Sequence, residues 1–109
     1  MLEPKIKKGD EVFTADGVSL GQSLVVYRRL SQVNPGLKLY EYYLETVKLS
    51  MGDEFYVPID FIDRYDNEIV HLSLTMAQVQ RETMMRMPKF IALRQGERIE
   101  LEPGEFVKM

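Results

Sequence analysis

The sequence predicts an all-β fold, a small curled sheet followed by a helix and a short β-like hairpin tail. Three stretches carry that expectation. Glu11 to Arg29 holds two strand-like runs on either side of Ala15-Asp16-Gly17. Asp-Gly between such runs signals a hairpin, because glycine accepts a positive φ at no steric cost. Leu39 to Leu49, LYEYYLETVKL, is rich in the aromatic and β-branched side chains that fit a pleated, half-buried surface. In IVHLSL, Val70, Leu72 and Leu74 alternate with Ile69, His71 and Ser73, so the first set faces a core.

The elements follow in order. Met1 to Lys8 reads as a loose lead-in. Gly21, inside the second strand, marks a bulge or sharp bend of the kind that curls a small sheet. Ser31 to Lys38, with Asn34-Pro35-Gly36, is a connection. In LYEYYLETVKL neither alternate face is cleanly apolar, so a break in register is expected near Leu44. Met51-Gly52-Asp53 turns the chain into a strand from Glu54 to Val57, which Pro58 ends because proline has no N–H to donate. Ile59 to Ile62 is expected as a short helical turn with both isoleucines inward, and Asp66-Asn67-Glu68 as a turn. Thr75-Met76-Ala77-Gln78 matches a capping box, and apolar residues at helical spacing predict an amphipathic helix from Thr75 to about Arg86. Pro88 ends it. Ile91 and Leu93 before Gln95-Gly96, with Ile99 and Leu101 after, predict a small hairpin.

At 109 residues the chain is one small domain, placed at residues 6–75, with an appendage over 76–109. A net charge of −3, with both signs mixed, lacks the basic stripe of a phosphate-tracking protein and makes nucleic acid a disfavoured partner. The absence of cysteine excludes disulfides, thiolate chemistry and zinc–cysteine sites. No apolar run reaches the roughly eighteen residues a membrane helix needs. The lysines of the first residues have no apolar segment behind them, so no secretion signal is expected and the cytoplasm is the default location.

The order of these elements resembles the PRC-barrel superfamily, small β-barrels named after the photosynthetic reaction centre H subunit. The segments that carry the resemblance are ADGVSLG (Ala15 to Gly21), FYVPIDFID (Phe55 to Asp63) and IVHLSLT (Ile69 to Thr75). It covers roughly residues 6 to 80. It implies a barrel in which Gly17 makes the hairpin turn and Gly21 the bend. The family has no common catalytic residue. What it implies is adhesion, since its members dock onto protein or ribonucleoprotein assemblies, including the ribosome in a ribosome maturation factor. The long LYEYYLETVKL run and everything after Met84 depart from what the barrel requires.

No residue constellation points to catalysis. His71 is the only histidine, and alternation puts it on the outer face, away from a second catalytic group. Asp60, Asp63 and Asp66 recur every third residue, but without the D-x-D-x-D-G calcium pattern they read as turn residues. The serines lack a G-x-S-x-G context and the glycines form no phosphate loop. The chain is therefore read as no enzyme, with no cofactor and no metal. Tyr40, Tyr42, Tyr43, Tyr27 and Tyr56, with Arg28 and Arg29, suggest a stacking platform, although barrel packing accounts for them as well. Met76, Met84, Met85 and Met87 are the flexible, polarizable side chains used at adaptable surfaces. They either pack on their own domain or reach a partner. Read as partner-binding, the set is Met76, Val79, Met84, Met87, Phe90, Ile91, Leu93 and Arg94. The function expected is a non-catalytic interaction or scaffolding module, with a homodimer sharing its tails as one form. The alternative is a ribosome- or RNA-associated factor acting through Arg28, Arg29 and the basic tail.

Overall fold

The structure, a computed structural model, describes residues 6–29, 40–50, 52–82 and 84–102. It is mostly β. The strands are β1 (Glu11–Phe13), β2 (Ser19–Arg29), β3 (Tyr42–Lys48), β4 (Asp53–Pro58), β5 (Ile62–Asp66), β6 (Ile69–Leu72) and β7 (Gly96–Glu100). Two short helices, α1 (Met76–Arg81) and α2 (Lys89–Ala92), lie between β6 and β7. The strand order is β4-β3-β2-β1-β6-β5, with β7 added to β2. All pairs are antiparallel except β1 with β6.

The eleven-residue β2 organises the sheet. Gln22 to Arg28 pairs with β3 along one edge. The other edge is shared, with Ser19 and Gln22 taking β1 and Val25 to Arg29 taking β7. Gly21 allows this division. Its φ is +90°, and a Cβ there would fall 2.2 Å from the Val47 carbonyl oxygen, so only glycine lets β2 and β3 approach. The bulge opposite Val12 leaves the Leu20 carbonyl to the Thr46 hydroxyl, which donates to it at 3.0 Å. The hairpin before it turns at Thr14 to Val18, as Asp16-Gly17 leads one to expect.

The core is the face formed by Val12, Leu20, Val26, Leu44, Phe55, Val57, Val70, Leu72 and Leu74. The expected alternation in β6 holds, with Val70 and Leu72 buried and His71 half-exposed. The 3-10 turn Ile59–Phe61 follows Pro58, and Ile59, Phe61 and Ile62 pack against the core.

Several expectations need correction. The sheet is not hydrogen-bonded into a closed barrel among the described residues, because β4 and β5 are its two ends. The irregularity expected in β3 near Leu44 belongs to β2, where the extra residue Leu24 lies between the pairs Ser23–Thr46 and Val25–Glu45. The lead-in is not loose from Ile6 onward. Ile6 joins the core, and Asp10, 2% exposed, accepts from the Lys7 amide at 2.8 Å and the Tyr65 hydroxyl at 2.7 Å. Among the described residues the hairpin expected over Ile91 to Leu101 does not form, since residues 89–92 are helical and β7 pairs with β2 instead. The capping box at Thr75 and Gln78 is present, but the helix stops at Arg81. The chain then turns so that Met84 enters the core and its carbonyl accepts the Tyr56 amide of β4 at 2.7 Å. An exposed strand edge is thereby capped. Val79 and Met84, past Thr75, lie in the same core cluster as Val70 and Leu72 before it. The connection expected at Ser31 to Lys38, and the tail from Pro103, lie outside the described residues.

Candidate functional site

The second face of the sheet is built differently from the first. Strand register places Val25, Glu45 and Tyr56 side by side on β2, β3 and β4, and Tyr27, Tyr43 and Pro58 in the next row. Over this face the chain from Met84 to Ala92 folds back, with the Phe90 ring 5.5 Å from that of Tyr43. Gly96 makes room for Phe90, because a Cβ there would sit 2.7 Å from the ring. Between the sheet and the returning segment runs a groove of about 710 Å³. One wall is Tyr40, Tyr43, Tyr56, Pro58 and Phe61, and the other runs from Glu82 through Met84, Arg86, Met87 and Lys89 to Phe90 and Ala92.

The aromatic wall is stepped rather than flat. Tyr40 meets Phe61 edge-on at 5.4 Å and Tyr43 edge-on at 6.3 Å, the arrangement that ring quadrupoles favour. Tyr40 and Met87, 40% and 42% exposed, leave the groove open to solvent. Met85, within the returning stretch, and Leu93, just after it, are also exposed. Arg86 and Lys89 are exposed and make no ion pair among the described residues.

Beside Tyr56 on the same face lies a buried carboxylate. Glu45 is 6% exposed and receives the Tyr56 hydroxyl at 3.4 Å, which is shared with Glu54 at 3.3 Å. Burial pushes the Glu45 carboxyl above its ordinary pKa and the Glu54 charge adds to this, while hydrogen bonds from Tyr56 and Tyr27 and the charge of Arg98 act the other way. Burial likewise raises the phenols of Tyr56 and Tyr43, so both stay protonated hydrogen-bond donors at neutral pH.

The expected partner-binding set is divided. Met76, Val79 and Met84 pack in the core, with Val79 at 0% exposure, and Phe90 is 5% exposed as it forms the groove wall. Ile91 is half-buried. Met87 and Leu93 are exposed, and Arg94 is exposed with a φ of +58°. Of the suggested tyrosine platform, Tyr40, Tyr43 and Tyr56 do meet in one groove, whereas Tyr42 packs against the core. Arg28 is held by Glu41 at 3.1 Å and Glu97 at 3.4 Å. Sequence reasoning missed that the tyrosines and the methionine-rich tail face each other across one groove. That follows from the β3–β4 register and the return of the chain over it, which no short motif announces.

The other candidates have local duties. His71 Nε2 lies 3.2 Å from Asp66 Oδ1, and among the described residues no group of three or more acidic or histidine side chains gathers to hold a metal. The Ser23 hydroxyl serves the backbone, accepting from the Asp10 amide and donating to the Lys7 carbonyl. No described helix is long and apolar enough to cross a membrane. No protein-family model, curated protein or solved structure matches the chain.

Proposed function

We propose that the protein is a non-catalytic interaction module of PRC-barrel-like plan, and that the aromatic groove between β3–β4 and the returning tail is its docking surface. The observation that carries this reading is the groove itself. It concentrates Tyr40, Tyr43, Phe61, Met84, Met87 and Phe90 in about 710 Å³, within the size range of binding clefts. Both side-chain types are enriched at interfaces, tyrosine for its large and rigid contact area and methionine for its adaptability. What supports the PRC-barrel plan is the succession of a glycine turn, a glycine bulge in β2, and a strand that Pro58 ends before a 3-10 turn. A dimer through the tail has less apolar surface to work with, since Met76, Val79 and Met84 are covered by their own chain.

The test is affinity capture from native lysate with the full chain and with a Tyr40→Ser, Met87→Glu double variant, each with and without nuclease. Both positions are exposed, so folding is expected to survive. A protein captured by the native chain, lost with the variant and resistant to nuclease supports the reading. Capture that the variant retains removes the groove from consideration. Capture that nuclease abolishes replaces this reading with the ribonucleoprotein one.

A further inference from the structure

We infer that the groove takes an extended, proline-containing segment of another protein with acidic residues beside the prolines. This rests on the groove being the docking surface proposed above, and it names the chemistry of the occupant. Three observations lead to it.

The first concerns main-chain hydrogen bonding. A peptide that joined β4 as an added strand would need that strand's outer amides. The amide of Tyr56, in the middle of β4, already donates to the Met84 carbonyl at 2.7 Å, and Pro58 at its end has no N–H. Strand addition is blocked at the border of the groove. A polyproline II segment needs no ladder, because its backbone is solvated and its ordering cost is low.

The second is the shape of the wall. Tyr40, Tyr43 and Phe61 stand edge-to-face, leaving steps between rings, with Phe90 and Tyr56 completing the lining. Aromatic-lined grooves of this kind receive proline rings, which stack on the exposed ring faces.

The third is charge. Arg86 and Lys89 occupy the wall opposite the tyrosines without an ion pair among the described residues, against Glu82 as the lining's acid. Aspartate or glutamate next to the prolines would pair with them. An oligonucleotide is also anionic and also meets aromatic rings. It is disfavoured because the net charge is −3 and Arg28 is occupied by Glu41 and Glu97, so the cations form no track for a phosphate backbone.

The experiment begins with panning the full-length protein against a random peptide library and counter-screening the isolates on Tyr40→Ser. Fluorescence anisotropy then compares four probes: a proline-rich peptide flanked by glutamates, its lysine-flanked counterpart, its alanine-for-proline counterpart and a short oligothymidylate. The glutamate-flanked peptide is expected to bind at least about tenfold tighter than either altered peptide, a clear margin on the affinity scale. An Arg86→Glu, Lys89→Glu variant is expected to reverse the preference between glutamate and lysine flanks without a change in melting temperature. Groove-dependent isolates lacking proline or acidic residues would overturn the inference and leave the docking surface standing. Failure to obtain any isolate sensitive to Tyr40→Ser would overturn both. Oligothymidylate binding tighter than every peptide, and lost in Tyr40→Ser, would overturn the inference in favour of nucleic acid.

Discussion

Where β2, β3 and β4 turn inward they carry Val26, Leu44, Thr46, Phe55 and Val57, all at 2% exposure or less. Where the same strands turn outward they carry Tyr27, Tyr43, Glu45 and Tyr56 beside Val25. Apart from Thr46, the inner face is apolar, and it is covered by the chain's own residues. The outer face ends in hydroxyls and carboxylates and is only partly covered, by Phe90 and the segment around it. An apolar surface left open would seek any cover available, whereas a tyrosine surface tolerates water and still offers large contact area. One face makes the fold. The other is free to do something else.

If this division is right, damage to the inner face and its hinge should cost the fold, and damage to the groove should not. The largest effect is expected at Gly21. A valine there meets the Val47 backbone and an unfavourable positive φ together, and neither can relax without parting β2 from β3. A loss of at least about 3 kcal/mol is expected, enough to leave most of a small domain unfolded. Denaturant melts followed by circular dichroism would check this; a native-like midpoint would mean that the bulge is not what positions β2. Leu44→Ala comes next. A fully buried leucine at the centre of β3 should cost about 2–5 kcal/mol, depending on how far the core collapses into the space. A midpoint shift below the lower end would mean that the inner face is less tightly filled than its exposures imply.

The inner face was largely legible in the sequence, and the outer one was not. Alternation in IVHLSL put Val70 and Leu72 inside, Asp16-Gly17 marked the hairpin, and Gly21 marked the bulge, because each is a local rule acting over a few residues. The Thr75–Gln78 capping box was legible for the same reason. Helix length was not, since Met84 leaves the helical path to cap β4 at Tyr56, a contact between residues far apart in the chain. The tail strand pairs with β2 and not in the expected hairpin, because the pattern of Ile99 and Leu101 announces a strand without naming its neighbour. The groove depends on all of these long-range choices at once. Its residues were visible as a list of tyrosines and a list of methionines, and their meeting was not.

Tyr40→Ser tests the division from the other side. Tyr40 is 40% exposed and loses only its ring contacts with Tyr43 and Phe61. A stability change of about 1 kcal/mol or less is expected, with partner capture lost. A large destabilisation would show that the aromatic wall belongs to the fold after all, and the contrast between the faces would fail.

The smallest effect is also the one that asks why the outer face contains a buried acid. Burial, then the Glu54 charge, raises the Glu45 carboxyl, so the folded chain holds that proton to higher pH than the unfolded chain does. Its contribution to stability is therefore full below the ordinary carboxylate range and is lost as pH rises through the folded value. Asp16 has the opposite sign. The Thr14 hydroxyl, then the Met76 amide, lower its pKa, so its contribution is lost as pH falls. Comparing native chain and Glu45→Gln cancels Asp16. The variant should match the native protein in acid and be the more stable of the two at neutral pH, read from melting temperatures across the range. If it is instead the less stable at neutral pH, the Tyr56, Tyr27 and Arg98 contacts hold the charged form well enough to make it structural. If it is the more stable, the native chain keeps at position 45 a carboxylate that its fold would do better without. A carboxylate retained against stability would then stand beside Tyr56, a residue of the groove wall, where its hydrogen bond to the Tyr56 hydroxyl holds that ring.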